Sequence, residues 1–217
     1  MIRHTLFAAG IALMAVANPA PAQTIADFTL NGIAFEVPLP AGMCLPKGQM
    51  AEASRRLADA DPYNLTLLMV ITCGDEAFEH EYLAIKAPYS ALSTETERGP
   101  FLESLEPMFG TKSSDDLFAG ATGIAEKKLE DVTGRPVSIE GKISPLGVDG
   151  MCAYLGGVIE VQSDALHYKQ AISGCITVVG RKPMIVYSAG RGDSEADVAK
   201  HARKARVFAE AIRLKRR

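Results

Sequence analysis

Apolar and polar positions along the chain form short runs separated by tight turns, which predicts a protein built mainly from β-strands. The last four runs follow one another closely, as expected for an antiparallel meander. One earlier run, 65–73, is apolar throughout, which favours a central strand buried on both faces. The predicted strands cover residues 26–30, 33–39, 65–73, 81–87, 137–143, 150–161, 166–179 and 183–189.

Apolar residues at helical spacing predict helices at 48–60 and 101–109, and a third that begins after Ser194. Ser194 is a favourable N-cap, and Asp197 follows it at the spacing of a capping box. An apolar stripe runs along this last helix through Val198, Ala202, Ala205, Phe208, Ala209 and Ile212. We therefore predict one α+β domain over 23–217, an antiparallel sheet flanked by helices with the C-terminal amphipathic helix packed on it.

The N-terminal segment 1–22 has the pattern of a cleavable secretory signal. A basic start at Arg3 precedes an apolar run over 6–17, and small residues stand at Ala20 and Ala22. The run is shorter than the roughly 20 apolar residues that span a bilayer. Cleavage is expected near Ala22–Gln23, and no later segment is long and apolar enough to span a membrane. These features predict a soluble protein of the periplasm, or a secreted one.

All four cysteines lie after the predicted cleavage site, and an even number in an exported chain indicates disulfides. Four cysteines allow three pairings. A turn centred within 162–165 would place Cys152 opposite Cys175, at about the 4.5–5.5 Å Cα spacing that a disulfide bridges. Cys44 and Cys73 then form the second pair. No pair has the spacing of a C-x-x-C redox motif or of a zinc finger.

Part of the sequence resembles the layout of PsbP-like domains. The opening Phe35-Glu36-Val37-Pro38-Leu39-Pro40-Ala41-Gly42 is similar to their strand followed by Pro and Gly. Gly156-Gly157, then 183–190 and a helix ending near Ile212, are similar to their C-terminal half. The resemblance implies an antiparallel sheet between helices and a non-catalytic assembly or binding role. Bacterial members are often lipoproteins, whereas this chain has no lipidation cysteine, and the two disulfides are not a family feature.

Motifs for catalysis, metals or cofactors do not occur, so no catalytic residue, metal ligand or cofactor is predicted. Four carboxylates and a histidine cluster at 75–81, but their spacing fits neither a zinc motif nor a calcium loop, and a solvated turn is expected. An alternative to a binding module is a periplasmic hydrolase. Its site would have to be assembled from dispersed residues such as His80, His167 and Ser188.

Charge is distributed unevenly along the chain. Removing Arg3 with the signal changes the net charge from −3 to −4. The chain has no Trp and few other aromatic residues, so a surface that stacks nucleic-acid bases is disfavoured. Residues 200–217 nevertheless hold eight Lys or Arg against one acidic residue. Basic groups at a helix C-terminus are explained by the helix dipole. They could also bind an acidic protein partner or an anionic membrane surface. The strongest part of this patch is Arg213, Lys215, Arg216 and Arg217.

Overall fold

A computed structural model of the chain describes residues 24–74, 81–109, 126–127, 130, 134–164 and 167–216. The predicted signal 1–22 and most of 111–134 lie outside these residues. The strands are β1 Ile25–Leu30, β2 Ile33–Pro38, β3 Met43–Cys44, β4 Asn64–Thr72, β5 Glu81–Pro88, β6 Ser138–Val148, β7 Ala153–Gln162, β8 His167–Val179, β9 Lys182–Arg191 and β10 Arg213–Leu214. The helices are α1 Gly48–Asp59, α2 Arg98–Phe109 and α3 Glu195–Ala211, and a 3₁₀ turn spans Tyr89–Ala91.

Two antiparallel sheets form the fold, which confirms the predicted α+β class. The larger sheet has the order β3-β4-β5-β9-β8-β7-β6, and the predicted meander makes up the half from β6 to β9. A smaller sheet of order β1-β2-β10 was not predicted. Its third strand has only two residues, directly after α3, and a run that short carries no readable alternation.

The centre of the large sheet is β9 rather than the apolar strand β4. All but two residues of β9 are buried, whereas in β4 only Val70 and Ile71 are buried. The expectation that 65–73 is a central strand buried on both faces is therefore wrong. Only the two-residue strand β3 lies beyond β4, so most of β4 is near a sheet edge. A continuous apolar run indicates a hydrophobic strand but does not predict its position in the sheet, because pairing between distant parts of the chain decides the strand order.

Strands β7 and β8 form the predicted hairpin with a different register. Tyr154, not Cys152, lies opposite Cys175. The register differs by two residues, and since side chains alternate with a period of two, both cysteines still point to the same face.

Helix α3 packs on β7, β8 and β9, as predicted for the C-terminal amphipathic helix. Ser194 caps it by accepting a hydrogen bond from the backbone N–H of Asp197. The main hydrophobic core lies between the large sheet, the small sheet and α3, and Phe35 of β2 and Phe208 of α3 are almost fully buried in it. Helix α2 starts three residues before the predicted boundary and continues through Pro107. No helix in the described part of the chain is long and apolar enough to cross a membrane.

Candidate functional site

A serine and a histidine meet beneath α3. Ser188 lies on the face of β9 that α3 covers, and His201 projects from α3 toward it. The Ser188 Oγ and His201 Nδ1 atoms are 2.8 Å apart, at hydrogen-bond distance. Such a pair can activate a serine nucleophile when substrate reaches it. Here Ser188 is 0% and His201 1% exposed, so the pair is closed to solvent and acts as a buried hydrogen bond.

Burial controls the ionisation of His201. Desolvation lowers its pKa below the ordinary 6.5, and the charges of Lys204 and Lys200 act in the same direction. Glu81 and Asp197 oppose the shift without cancelling it. Glu81 also forms an ion pair with Lys204, next to the histidine. His201 is therefore neutral at pH 7, a state that suits a hydrogen bond with a neutral serine.

Two of the three residues named for a hydrolase are separated in the structure. His167, at the start of β8, is largely exposed and lies 2.5 Å from Glu160 Oε1. Ser188 is paired with Ser173, six residues further along β8, or roughly 20 Å from His167 at strand spacing. His80 lies outside the described residues. The partner of Ser188 is instead His201. This histidine lies on the buried face of α3 between Val198 and Ala205. Helical spacing from those two apolar residues is the sequence feature that could have indicated its burial.

Metal ligands do not cluster in the part of the chain that the structure describes: no group of three His, Cys, Asp or Glu side chains is positioned to hold an ion. The acidic cluster at 75–81 lies mostly outside that part. Its last member, Glu81, forms the ion pair with Lys204.

The four cysteines form two disulfides, Cys44–Cys73 and Cys152–Cys175, with Cα–Cα distances of 5.0 and 5.1 Å. Cys152 and Cys175 are fully buried in the main core. Cys44 is half-buried and Cys73 is exposed. The first pair joins β3 to the residue that follows β4, whereas the second crosses the β7–β8 hairpin diagonally.

Neighbouring carboxylates neutralise part of the basic C-terminal segment. Lys215 forms an ion pair with Asp27 of β1. Arg206 contacts Asp149 at 2.5 Å and Glu210 at 2.9 Å. Four residues were predicted to form an anion-binding patch. Arg213 donates a hydrogen bond to the carbonyl oxygen of Glu210, and Lys215 is the residue paired with Asp27. Arg216 is exposed, and Arg217 lies outside the described residues. Lys204, Arg206 and Lys215 are thus paired with carboxylates within the fold.

Two exposed tyrosines stand together at one end of the β4–β5 ladder. Tyr63 is 60% and Tyr89 46% exposed. The backbone N–H of Tyr89 donates to the carbonyl oxygen of Tyr63 at 2.8 Å, so their main chains lie side by side. Two exposed aromatic side chains thus project from neighbouring backbone positions. We call these two residues the tyrosine surface.

A polar network fixes the backbone under the tyrosine surface. Asp61 Oδ1 accepts hydrogen bonds from the N–H groups of Tyr63 and Asn64, both at 3.0 Å, and Lys86 Nζ donates to Asp61 Oδ2 at 2.8 Å. Partial burial raises the pKa of Asp61, but the hydrogen bond and charge of Lys86, together with the hydrogen bonds from Tyr63 and Asn64, outweigh burial and lower the pKa overall. Lys86 also lies 5.9 Å from the ring centre of Tyr187, whose pKa burial and the Asp61 charge raise to about 12.

Comparisons with known proteins give structural likenesses but no sequence relatives. No protein-family model matches the chain, and no curated protein sequence is similar to it. The solution structure of cyanobacterial PsbP (CyanoP) from Synechocystis sp. PCC 6803 aligns with 94% of this chain and 99% of its own, at 12% identity and a TM-score of 0.40. A likeness at that level supports no conclusion about fold family or function, and the PsbP-like resemblance stays a prediction.

Proposed function

We propose that the chain is an exported, non-catalytic module that binds a protein partner through the tyrosine surface. The observation that carries this proposal is the pair of exposed aromatic side chains, Tyr63 and Tyr89, on a backbone fixed by the Asp61–Lys86 network. Tyrosine is enriched at the centres of protein interfaces, where it offers a large contact area and a hydroxyl. Because the backbone is already ordered, binding would cost little conformational entropy.

Export is supported by two features of different kinds. The segment 1–22 has the pattern of a cleavable signal. Two disulfides join all four cysteines, and stable disulfides form mainly in oxidising compartments such as the periplasm. If the proposal is correct, N-terminal sequencing of the protein from the periplasmic fraction will begin at Gln23. Recovery of the full-length chain in the cytoplasm only would contradict it.

A non-catalytic role is supported by the closure of the Ser188–His201 pair. A nucleophile must contact its substrate, and neither side chain reaches the surface. We expect a fluorophosphonate probe, which labels activated serines, to leave Ser188 unmodified in the native protein. Labelling that disappears in Ser188→Ala would instead support the hydrolase.

A protein partner is favoured over an anionic membrane surface, because Lys215 and Arg206 of the basic segment are already paired with Asp27, Asp149 and Glu210. Liposome co-sedimentation at low and high salt, with and without residues 213–217, compares the two partners. Equal and weak binding of both forms is expected. Salt-sensitive binding that depends on 213–217 would favour the membrane.

Site-specific photocrosslinking tests the tyrosine surface directly. A benzophenone amino acid replaces Tyr63 or Tyr89 in the native host, with Val207 of α3, 64% exposed, as the matched control position. Both tyrosine positions should give the same crosslinked protein, and Val207 should not. Excess purified wild-type protein should compete, whereas Tyr63→Ala/Tyr89→Ala should not. The same product at Val207, or none at the tyrosines, would refute the proposed surface.

A further inference from the structure

The two disulfides differ sharply in how accessible they are. Both sulfurs of Cys152–Cys175 belong to residues that are 0% exposed in the main core. In the other pair, Cys73 is exposed and Cys44 is half-buried. A thiolate can attack a disulfide only if it reaches one of the sulfurs. Only one of the two bonds is therefore open to a protein-sized reagent while the chain remains folded.

The accessible disulfide holds down a weakly packed segment, which we call the strap and define as 43–59, that is β3 and α1. Strand β3 pairs with two residues of β4 only. In α1, Ser54 is the single buried residue, and its hydroxyl bonds to the carbonyl of Met50 within the same helix. Little apolar burial therefore opposes release of the strap, since stability follows buried apolar area.

A surface pocket of about 290 Å³ lies between part of the strap and the end of β4. The strap contributes Cys44, Leu45, Lys47 and Met50 to its lining, and the β4 side contributes Ile71, Thr72 and Gly74. Cys44 is thus next to solvent-accessible space even though β3 is paired with β4. Lys47 lines the same pocket, and a positive charge there favours a thiolate leaving at Cys44.

We propose that Cys44–Cys73 is a site of thiol–disulfide exchange with a dithiol protein, and that its reduction releases the strap. The thiolate of the dithiol attacks the sulfur of Cys73, the exposed residue of the pair, a mixed disulfide forms, and Cys44 leaves as a thiolate. The second thiol of the reagent then attacks the reagent's first sulfur in the mixed disulfide and displaces Cys73 as a thiolate. The chain gains two electrons and two protons as two thiols, and the dithiol becomes a disulfide.

Trapping tests the first step on the native, full-length mature protein. The reagent is a C-x-x-C oxidoreductase whose second cysteine is replaced by serine, so the mixed disulfide persists. Peptide mapping is expected to find the adduct on Cys73, with Cys44 free to be alkylated and Cys152–Cys175 intact. Reduction of Cys44–Cys73 should be at least about tenfold faster than that of the buried pair, which requires large-scale opening. An adduct on Cys44 or on either buried cysteine, or equal reduction rates, would overturn the proposal.

Hydrogen exchange tests the second step. On selective reduction of the wild-type protein, and in Cys44→Ala/Cys73→Ala, amides of 43–59 should exchange at least about tenfold faster while those of β8 and β9 stay protected. If the double variant does not fold, the reduced wild-type protein alone decides the result. Unchanged protection of 43–59 after reduction would show that the strap is held by other contacts and would refute its release.

Discussion

Acidification is expected to destabilise the fold through His201 at a higher pH than that at which Asp61, Asp149 and Asp197 are protonated. Burial holds the pKa of this histidine in the folded state below the ordinary 6.5, at which the unfolded chain takes up its proton. Its contribution to stability is therefore complete above about pH 6.5 and declines as the pH falls through that value. The difference involves at most one proton, so the slope is at most about 1.4 kcal/mol per pH unit.

The groups around His201 do not change the sign of this effect. Glu81 and Asp197 favour the imidazolium, while Lys200 and Lys204 disfavour it, and burial remains the largest cause. Ser188, its hydrogen-bond partner, does not titrate in this range. Asp61, Asp149 and Asp197 have pKa values below the ordinary 3.8, so their contributions are lost only as the pH falls below that value.

Urea unfolding at a series of pH values between about 7.5 and 5 measures the slope. His201→Gln keeps a hydrogen-bonding side chain that does not titrate, and it is expected to flatten the loss of unfolding free energy. Ser188→Ala is the matched control, because it removes the hydrogen-bond partner of His201 but keeps the buried imidazole, so the slope should remain. Parallel curves for the wild-type protein and His201→Gln, or a slope removed by Ser188→Ala, would refute the reasoning.

Three further substitutions test the packing in denaturant-unfolding experiments. Phe208→Ala should cost about 3–5 kcal/mol of unfolding free energy because the ring is buried in the main core. Val207→Ala on the exposed face of α3 is the control and should cost little. Similar losses for the two variants would show that the Phe208 ring is not a core contact. Ser194→Ala should cost about 1 kcal/mol by removing the N-cap, and an unchanged midpoint would argue against the cap. Gly157→Ala should cost about 1–3 kcal/mol or more of unfolding free energy, because the added Cβ would lie 1.8 Å from the carbonyl oxygen of Lys142 in β6. The Cβ added by Gly150→Ala would meet nothing within 4 Å, so this control should remain stable.

Local sequence patterns predicted most of the elements because each depends on nearby residues. The cap at Ser194 and the apolar stripe of α3 are separated by only a few positions, so the final helix was located to within a residue or two. The meander β6–β9 was predicted for the same reason, since short turns join neighbouring strands. The strand order of the large sheet, in contrast, depends on contacts between distant parts of the chain and was not predicted. Strand β9 pairs with β5 across about a hundred residues, and that contact, not the apolar run of β4, decides which strand is central.

The candidate site was less predictable because it depends on exposure and on partners far apart in the chain. Tyr63 and Tyr89 are unremarkable in the sequence and become neighbours only through the β4–β5 pairing. Their support, Asp61 and Lys86, is separated by 25 residues. His201 and Ser188 are closer in sequence but lie on different elements, so only the packing of α3 on β9 joins them.

The pairing of β5 with β9 also determines when the protein can fold during synthesis. Glu81 is matched to Gly190, so a growing chain that has not reached β9 has the β4–β5 hairpin on one side and β6–β8 on the other with nothing between them. Contacts that span so much sequence form slowly, and unpaired strand edges favour aggregation until they close. Fragments that stop before Lys182 should therefore remain unfolded. The sheet can close only when the segment from Lys182 onward, about the last sixth of the chain, is available to pair.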